Sequence, residues 1–212
     1  MTIHYPNGQA FQPDMTAHFK NQHLENQDVI FGNRGMPLEK EINVSNCFYL
    51  QNDLAVIHKK PIPIQIVQVD YPKRSAAVIK EAYFKQPSTT DYNGVYRGYY
   101  LDFEAKETKN QTAFPLNNFH EHQIQHMKAC VNQGGICFTI IKFVSTQEIF
   151  LLPAEVLFSY WENKDHARKS IPKKVIEEEG LLIKYGIQPL IPYLAKVDIL
   201  IKRLIRKRGA NL

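Results

Sequence analysis

One segment near the middle of the chain alternates strictly between apolar and charged residues, and it constrains the fold more than any other. Successive side chains of a β-strand point to opposite faces. The apolar members of the segment are therefore predicted to pack against a core: Leu101, Phe103 and Ala105. The charged members are predicted to share the other face: Asp102, Glu104 and Lys106. The pattern predicts a long strand over residues 95–107 that carries polar chemistry on one side.

An acidic residue upstream completes a candidate metal site. Asp91 lies thirteen positions before Glu104 and just before a Tyr-Asn-Gly sequence that we interpret as a turn. Two carboxylates are hard oxygen ligands of the kind that Mg²⁺ prefers. A lysine beside them can offset the charge that develops on a phosphate. The spacing therefore indicates a metal-dependent phosphodiesterase, although a solvated sheet face with a weak ion pair would share it.

Further elements can be assigned from apolar periodicity and from Pro and Gly positions. Residues 75–84 fit a helix or a strand equally well. Helices are predicted at 37–52, 119–132, 154–163 and 192–206, and strands at 55–58, 136–144, 148–152 and 181–185. Strands that alternate with helices predict an α/β fold.

Four runs of the chain together resemble the RecU-type Holliday junction resolvases of Gram-positive bacteria, whose core is restriction-endonuclease-like. The runs are residues 33–36, 58–67, 88–94 with 102–108, and 118–123. The resemblance implies an α/β fold in which helices flank a central mixed sheet and a stalk protrudes. We expect a mobile N-terminal arm at 1–30 and a nuclease domain at 31–212, with 59–88 as the inserted stalk.

The resemblance also implies roles for individual residues. Asp91, Glu104 and Lys106 match the catalytic positions, with the lysine as the transition-state stabiliser. Mg²⁺ is expected on four residues: Thr89, Asp91, Glu104 and Gln123. The residue before Asp91 is Thr90, where the broader superfamily has proline.

The function implied is a Mg²⁺-dependent endonuclease that resolves four-way DNA junctions by paired symmetric nicks in recombination and repair. A homodimer is expected because two like-oriented active sites suit the two-fold symmetry of a junction. Recombinase and branch-migration proteins are further candidate partners. Two alternatives stay open: a junction-binding, recombinase-modulating protein with secondary nuclease activity, and a nuclease that cuts duplex DNA.

Positive charge is concentrated in two segments, as expected for a protein that contacts phosphates. Residues 56–85 hold six basic and two acidic residues, and residues 196–212 hold six basic and one acidic. The first segment contains a proline-flanked ribbon at 62–69, which could enter the open centre of a junction. The role of the basic C-terminal helix is left open. Expected DNA contacts are Arg34, Lys59, Lys60, Lys73 and Arg74.

Histidines near the predicted site offer a competing signal. His122 and His126 stand four apart on a predicted helix, a spacing that zinc can use, but Gln123 is favoured as a metal ligand. The roles of His120, His122 and His126 are left open. Asp102 is expected to pair with a lysine rather than bind metal, and Glu39 is a weak acidic candidate.

Cysteine usage and hydropathy indicate a cytoplasmic protein without a membrane segment. Cys47, Cys130 and Cys137 include no Cys-x-x-Cys pair, which favours free thiols in a reducing compartment and disfavours structural zinc. No apolar run reaches the length of a transmembrane helix. With 212 residues and 44% apolar content, the chain is expected to form one folded domain.

Overall fold

A computed structural model describes residues 36–72, 77–85, 89–166 and 168–209. The described residues from Pro37 onward belong to one compact unit. The predicted arm at 1–30 lies outside the described residues, as do three of the expected DNA contacts: Arg34, Lys73 and Arg74. No helix in the described part of the chain combines the length and apolar character that crossing a membrane requires.

The described residues form both helices and strands, in the order that the sequence predicts for an α/β fold. The helices are α1 Leu38–Gln51, α2 Glu121–Asn132, α3 Ala154–Glu162, α4 Lys173–Glu179 and α5 Leu194–Gly209. The strands are β1 Val56–Lys59, β2 Ile64–Asp70, β3 Val78–Phe84, β4 Tyr92–Tyr96, β5 Tyr99–Thr108, β6 Ala113–Pro115, β7 Ile136–Phe143, β8 Glu148–Pro153, β9 Ser170–Pro172 and β10 Leu181–Ile183. Four short elements were not predicted from the sequence: β6, β9, α4 and a 3-10 helix at Leu116–Asn118.

The central sheet is mixed, which confirms the predicted fold class. Its strand order is β1-β4-β5-β7-β8-β10. The β5–β7 pair is parallel, and the other pairs in this sheet are antiparallel. Parallel neighbours need a crossover connection, and the chain between β5 and β7 contains α2. This connection places α2 beside β5, the strand that carries the charged residues.

Two apolar cores cover the two faces of the sheet. One contains Ile42 of α1, Phe103 of β5 and Tyr193, and the other contains Ile124 of α2 and Phe143 of β7. Strand β7 contributes residues to both cores, since it is buried along its whole length. Strand β5 contributes its apolar face to the first core only. Its charged face therefore lies on the side of the sheet where β7 contributes apolar residues to the second core.

The predicted Tyr-Asn-Gly turn and the predicted single strand at 95–107 are both wrong. Residues 92–96 form strand β4, and the chain turns at Arg97 and Gly98, whose φ angles are 50° and 79°. Two positive φ values suit a tight hairpin that matches the twist of its strands. An arginine at the first of these positions gives little sequence signal, because non-glycine residues rarely adopt positive φ.

Strands β2 and β3 form a separate two-stranded sheet. Residues 78–84 are therefore a strand and not a helix. Its register is irregular between Ile66 and Val69. Almost all of its side chains are exposed, including Ile64 and Phe84. A two-stranded ribbon is marginally stable alone. The limits of the predicted stalk, 59–88, stay a prediction.

Gly94 is required by close packing of strands rather than by a turn. A Cβ atom at this position would lie 2.1 Å from the carbonyl oxygen of Val56 on β1. We expect Gly94→Ala to lower the free energy of unfolding by about 2 kcal/mol or more, because strand backbone must shift. Gly209→Ala is the control, since no atom of the described residues lies within 4 Å of a Cβ at that position. Denaturant unfolding measures both, and equal stability of the two variants would contradict the packing account.

Candidate active site

The charged face of β5 is buried beneath helix α2. The side chains of Asp102 and Glu104 are both 0% exposed. Gln123 Nε2 donates to Glu104 Oε1 at 2.7 Å, and His126 Nε2 lies 3.1 Å from Asp102 Oδ2. One helical turn advances about 5.4 Å and two strand residues about 6.7 Å. Gln123 and His126, about one turn apart on α2, therefore reach the two carboxylates.

Glu104 is the centre of the site that the sequence predicts. Lys106 Nζ lies 2.6 Å from its Oε1 atom, and the backbone N–H of Asp91 donates to its Oε2 atom at 3.0 Å. Burial raises the pKa of Glu104 to about 8; the charge of Lys106 lowers this pKa, and the Asp91 carboxyl group raises it. The structure thus brings Asp91, Glu104 and Lys106 together, and the two carboxylates repel each other.

An unsatisfied hydroxyl group lies on the neighbouring strand. Thr139 of β7 stands opposite Glu104 in the parallel register. Its Oγ1 atom is buried and has no hydrogen-bond partner among the described residues. Buried polar atoms are rarely left unsatisfied. The sequence analysis missed Thr139, because a β-branched residue within an apolar strand is typical of ordinary sheet packing.

The donor atoms around Glu104 fit a hard divalent cation. Asp91 and Glu104 supply carboxylate oxygens that such a cation would hold together. Two other predicted ligands are less well oriented. The hydroxyl group of Thr89 donates to the Thr90 carbonyl at 3.4 Å. Gln123 Oε1 accepts the N–H of His120 at 3.0 Å, so the amide presents nitrogen to Glu104 and would have to turn to bind metal.

Asp102 is the centre of a second buried network, as an ion-pair partner of lysine. Its Oδ1 atom accepts the Thr90 hydroxyl group. Its Oδ2 atom accepts Lys60 Nζ at 2.8 Å and the Tyr100 hydroxyl group at 2.8 Å. The backbone N–H of Lys60 also donates to the Asp91 carbonyl at 2.7 Å. Lys60 therefore joins the two networks, and its side chain is only 18% exposed. This geometry favours a positioning role over the DNA contact expected from the sequence.

The remaining predicted residues lie around these networks. Lys59 is exposed and forms an ion pair with Glu39, the weak acidic candidate, so the charge of Glu39 is compensated by this lysine. The rings of His120 and His122 stack at 5.4 Å and 9°. Burial lowers the pKa of His122, and the nearby charges of His120 and Lys106 add to this effect. These two histidines therefore lie beside Lys106 at the edge of the site.

The sequence analysis also missed a buried ion pair that attaches α1 to the sheet. Lys142 Nζ of β7 lies 2.9 Å from Glu41 Oε2, with both side chains almost fully buried. Tyr185 donates its hydroxyl group to the same carboxylate at 3.1 Å. Glu41 and Lys142 are 101 positions apart, so no local pattern indicates their pairing.

The chain matches a known protein family over most of its length. The family model of RecU, recombination protein U, matches residues 33–199. The Holliday junction resolvase RecU of Ligilactobacillus salivarius is 60% identical over 210 residues, which cover 95% of this chain and 99% of the relative. The proteins of the same name from Lactiplantibacillus plantarum and Pediococcus pentosaceus are 63% and 59% identical, over 95% and 96% of this chain and 97% and 100% of each relative.

The raised pKa of Glu104 makes stability without metal depend on pH. The group has a pKa of about 8 in the folded protein against an ordinary value of 4.5. Between these values the folded state keeps a proton that the unfolded chain has lost, so stability falls as the pH rises. In chelator, Glu104→Gln should exceed the wild type in unfolding free energy by about 1 kcal/mol or more at pH 8. The difference should vanish near pH 4.5.

Denaturant unfolding across this pH range tests the expectation. Glu178→Gln, an exposed change on α4, should follow the wild-type profile. Adding Mg²⁺ at pH 8 should stabilise the wild type but not Glu104→Gln. Parallel pH profiles for wild type and Glu104→Gln would show that burying the ionised Glu104 carboxylate does not lower the unfolding free energy.

Proposed function

The chain belongs to the RecU family of recombination proteins, and from this premise we propose that it is a Holliday junction resolvase. Such an enzyme is a crossover junction endodeoxyribonuclease that hydrolyses phosphodiester bonds of four-way DNA in recombination and repair. Identity of 59–63% to proteins named Holliday junction resolvase RecU extends over 95–96% of the chain. The buried Glu104, held against Asp91 and Lys106, is the single observation in the fold that supports this proposal.

Asp91 and Glu104 would hold the divalent cation, which we propose is Mg²⁺. Their oxygens are hard ligands, and their mutual repulsion favours a cation between them. Thr89 and Gln123 are the further proposed ligands, the latter after its amide turns. When bound, the cation lowers the pKa of water and offsets charge on the phosphate.

Lys106 would stabilise the transition state. Its Nζ atom is held by Glu104 Oε1, while its side chain is 22% exposed, against 0% for Glu104. The ammonium group is therefore anchored by an ion pair, and the lysine side chain is only partly buried. A fixed positive charge at such an edge can stabilise the charge that grows on a scissile phosphate without reorganisation.

Paired symmetric nicks require two active sites, and we propose a homodimer. The ribbon formed by β2 and β3, which we propose enters the junction centre, exposes apolar side chains: Ile64, Ile66, Val67, Val78, Ile79, Tyr83 and Phe84. Exposed apolar patches of this kind mark interaction sites. The relatives are bacterial, and we place the enzyme in the cytoplasm, where bacterial DNA lies.

DNA contacts are proposed for the basic residues around the ribbon. Lys59 is exposed and adjoins β2, and Arg34, Lys73 and Arg74 complete the set by sequence. Lys60 would act differently, through its bonds to Asp102, Thr90 and the Asp91 carbonyl. Recombinase and branch-migration proteins stay proposed partners.

The function is tested by comparing cleavage of a mobile four-way junction and a linear duplex, each with Mg²⁺ and with chelator. We expect Mg²⁺-dependent nicks at symmetric positions in two junction strands of like polarity. Equal cutting of junction and duplex would contradict junction resolution. Cutting that persists in chelator would contradict the metal requirement.

Replacing Lys106 should separate chemistry from binding. Lys106→Ala is expected to slow single-turnover cleavage about 10²-fold or more, because it removes a charge that acts on the transition state. Junction affinity should change little, since most phosphate contacts lie elsewhere. Lys109→Ala, an exposed change just beyond β5, is the matched control. A normal single-turnover rate in Lys106→Ala would exclude this lysine from the mechanism.

The adjacent Lys59 and Lys60 should behave differently when each is replaced by alanine. Lys60→Ala leaves the Asp102 carboxylate buried without its cation, so the unfolding free energy should fall by about 3 kcal/mol. Lys59→Ala loses only an exposed ion pair and should change stability by less than about 1 kcal/mol. It should instead weaken junction binding and reduce the salt slope by roughly 0.9.

Denaturant unfolding and salt titration of junction binding distinguish these two roles. A stable Lys60→Ala variant whose only defect is weaker DNA binding would show that Lys60 contacts DNA directly, as the sequence predicts.

A further inference from the structure

A second group of possible metal ligands lies at the other end of the buried face of β5. Asp102, His126 and Cys130 each offer one ligating atom, and these atoms all lie within 4.8 Å of one another. His126 Nε2 is 3.1 Å from Asp102 Oδ2 and 3.6 Å from Cys130 Sγ. His126 and Cys130 lie one turn apart on α2, and Asp102 lies on β5 beneath them.

Both contacts of the histidine converge on the same ring nitrogen. A nitrogen with one proton or one lone pair satisfies one of these neighbours at a time. In a Cys-His-Asp arrangement built for nucleophilic catalysis, the carboxylate holds one ring nitrogen and the nucleophile contacts the other. Convergence on Nε2 is instead what three ligands of a single cation display.

Two of the three distances within the cluster agree with those of a zinc site. Zinc–ligand bonds of about 2.1 Å to nitrogen or oxygen and about 2.3 Å to sulfur give tetrahedral edges of about 3.4 Å between N and O and about 3.6 Å between N and S. The corresponding separations here are 3.1 Å and 3.6 Å. Small side-chain shifts would therefore suffice for coordination.

Cys137 lies close to this cluster. It stands opposite Asp102 in the parallel β5–β7 register, so both side chains project from the same face. The Cys137 and Cys130 thiols influence each other's pKa. Burial raises the pKa of both thiols, and the charge of Asp102 adds to this effect. A cation that replaced the Cys130 proton would satisfy the carboxylate and this sulfur atom together.

A cavity gives access to this cluster from solvent. Its volume is about 670 Å³, and its lining includes Tyr100, His126, Cys130 and Gly135. A hydrated ion could thus reach the histidine and the thiol group without passing Glu104.

We propose that Asp102, His126 and Cys130 form a second metal site, selective for a borderline-soft divalent cation such as Zn²⁺. Thiolate and imidazole ligands favour such ions over Mg²⁺, which separates this site from the carboxylates of Asp91 and Glu104. The cation would compete with Lys60 for Asp102 Oδ2, the oxygen that also accepts Tyr100. This site departs from the sequence expectation, which disfavours zinc and places His122 beside His126 in any zinc pair.

Cobalt substitution tests the proposal by a readout independent of cleavage. Full-length reduced protein is titrated with Co²⁺ in excess Mg²⁺, and absorbance is recorded. A sulfur-to-cobalt charge-transfer band should grow to saturation at about one equivalent, and Zn²⁺ should abolish it by displacement. Cys47→Ser, which removes a thiol group on α1, is the matched control and should keep the band.

Variants of the cluster assign the band to its ligands. Cys130→Ser should lose most of the band, and His126→Asn should weaken Co²⁺ affinity about tenfold or more. The His126 variant keeps the test decisive if the serine variant fails to fold. Glu104→Gln should keep the band, because the catalytic carboxylate lies outside the cluster. Absence of the band from the wild type, its persistence in both cluster variants, or its loss in Glu104→Gln would each overturn the proposal.

Discussion

The structure depends on burying two carboxylates, Asp102 and Glu104, on one face of a central strand. An unpaired buried charge is costly, so the surrounding elements supply compensation. Lys60 and Lys106 provide positive charge, and α2 contributes Gln123 to Glu104 and His126 to Asp102. The cost is only partly offset at Glu104, whose pKa stays raised. This residual cost is the physical reason why a divalent cation should bind there.

Much of this arrangement could be predicted from local patterns. The alternation at 100–106 correctly predicts a strand whose apolar residues reach the core and whose charged residues share the other face. Helix 119–132 is confirmed as α2, which begins at Glu121 and ends at Asn132. These predictions succeed because strand and helix periods are local properties of the sequence. The roles assigned to Asp91, Glu104 and Lys106 stay predictions that their geometry supports.

Other parts of the site depend on contacts between distant residues. Lys60 and Asp102 are 42 positions apart, and nothing near Lys60 distinguishes it from the exposed Lys59. Thr139 becomes informative only when the β5–β7 register places it opposite Glu104. The Asp102, His126 and Cys130 cluster likewise requires α2 to lie over β5. Burial, which converts a charged strand face into a site, cannot be inferred from alternation alone.

The central claim is that Asp91 and Glu104 share a divalent cation. Anomalous diffraction from crystals grown with Mn²⁺ in place of Mg²⁺ locates such an ion directly. The predicted result is a manganese peak within bonding distance of carboxylate oxygens from both residues, absent from crystals of Glu104→Gln. A peak that contacts neither carboxylate, or one that survives unchanged in Glu104→Gln, would contradict the claim.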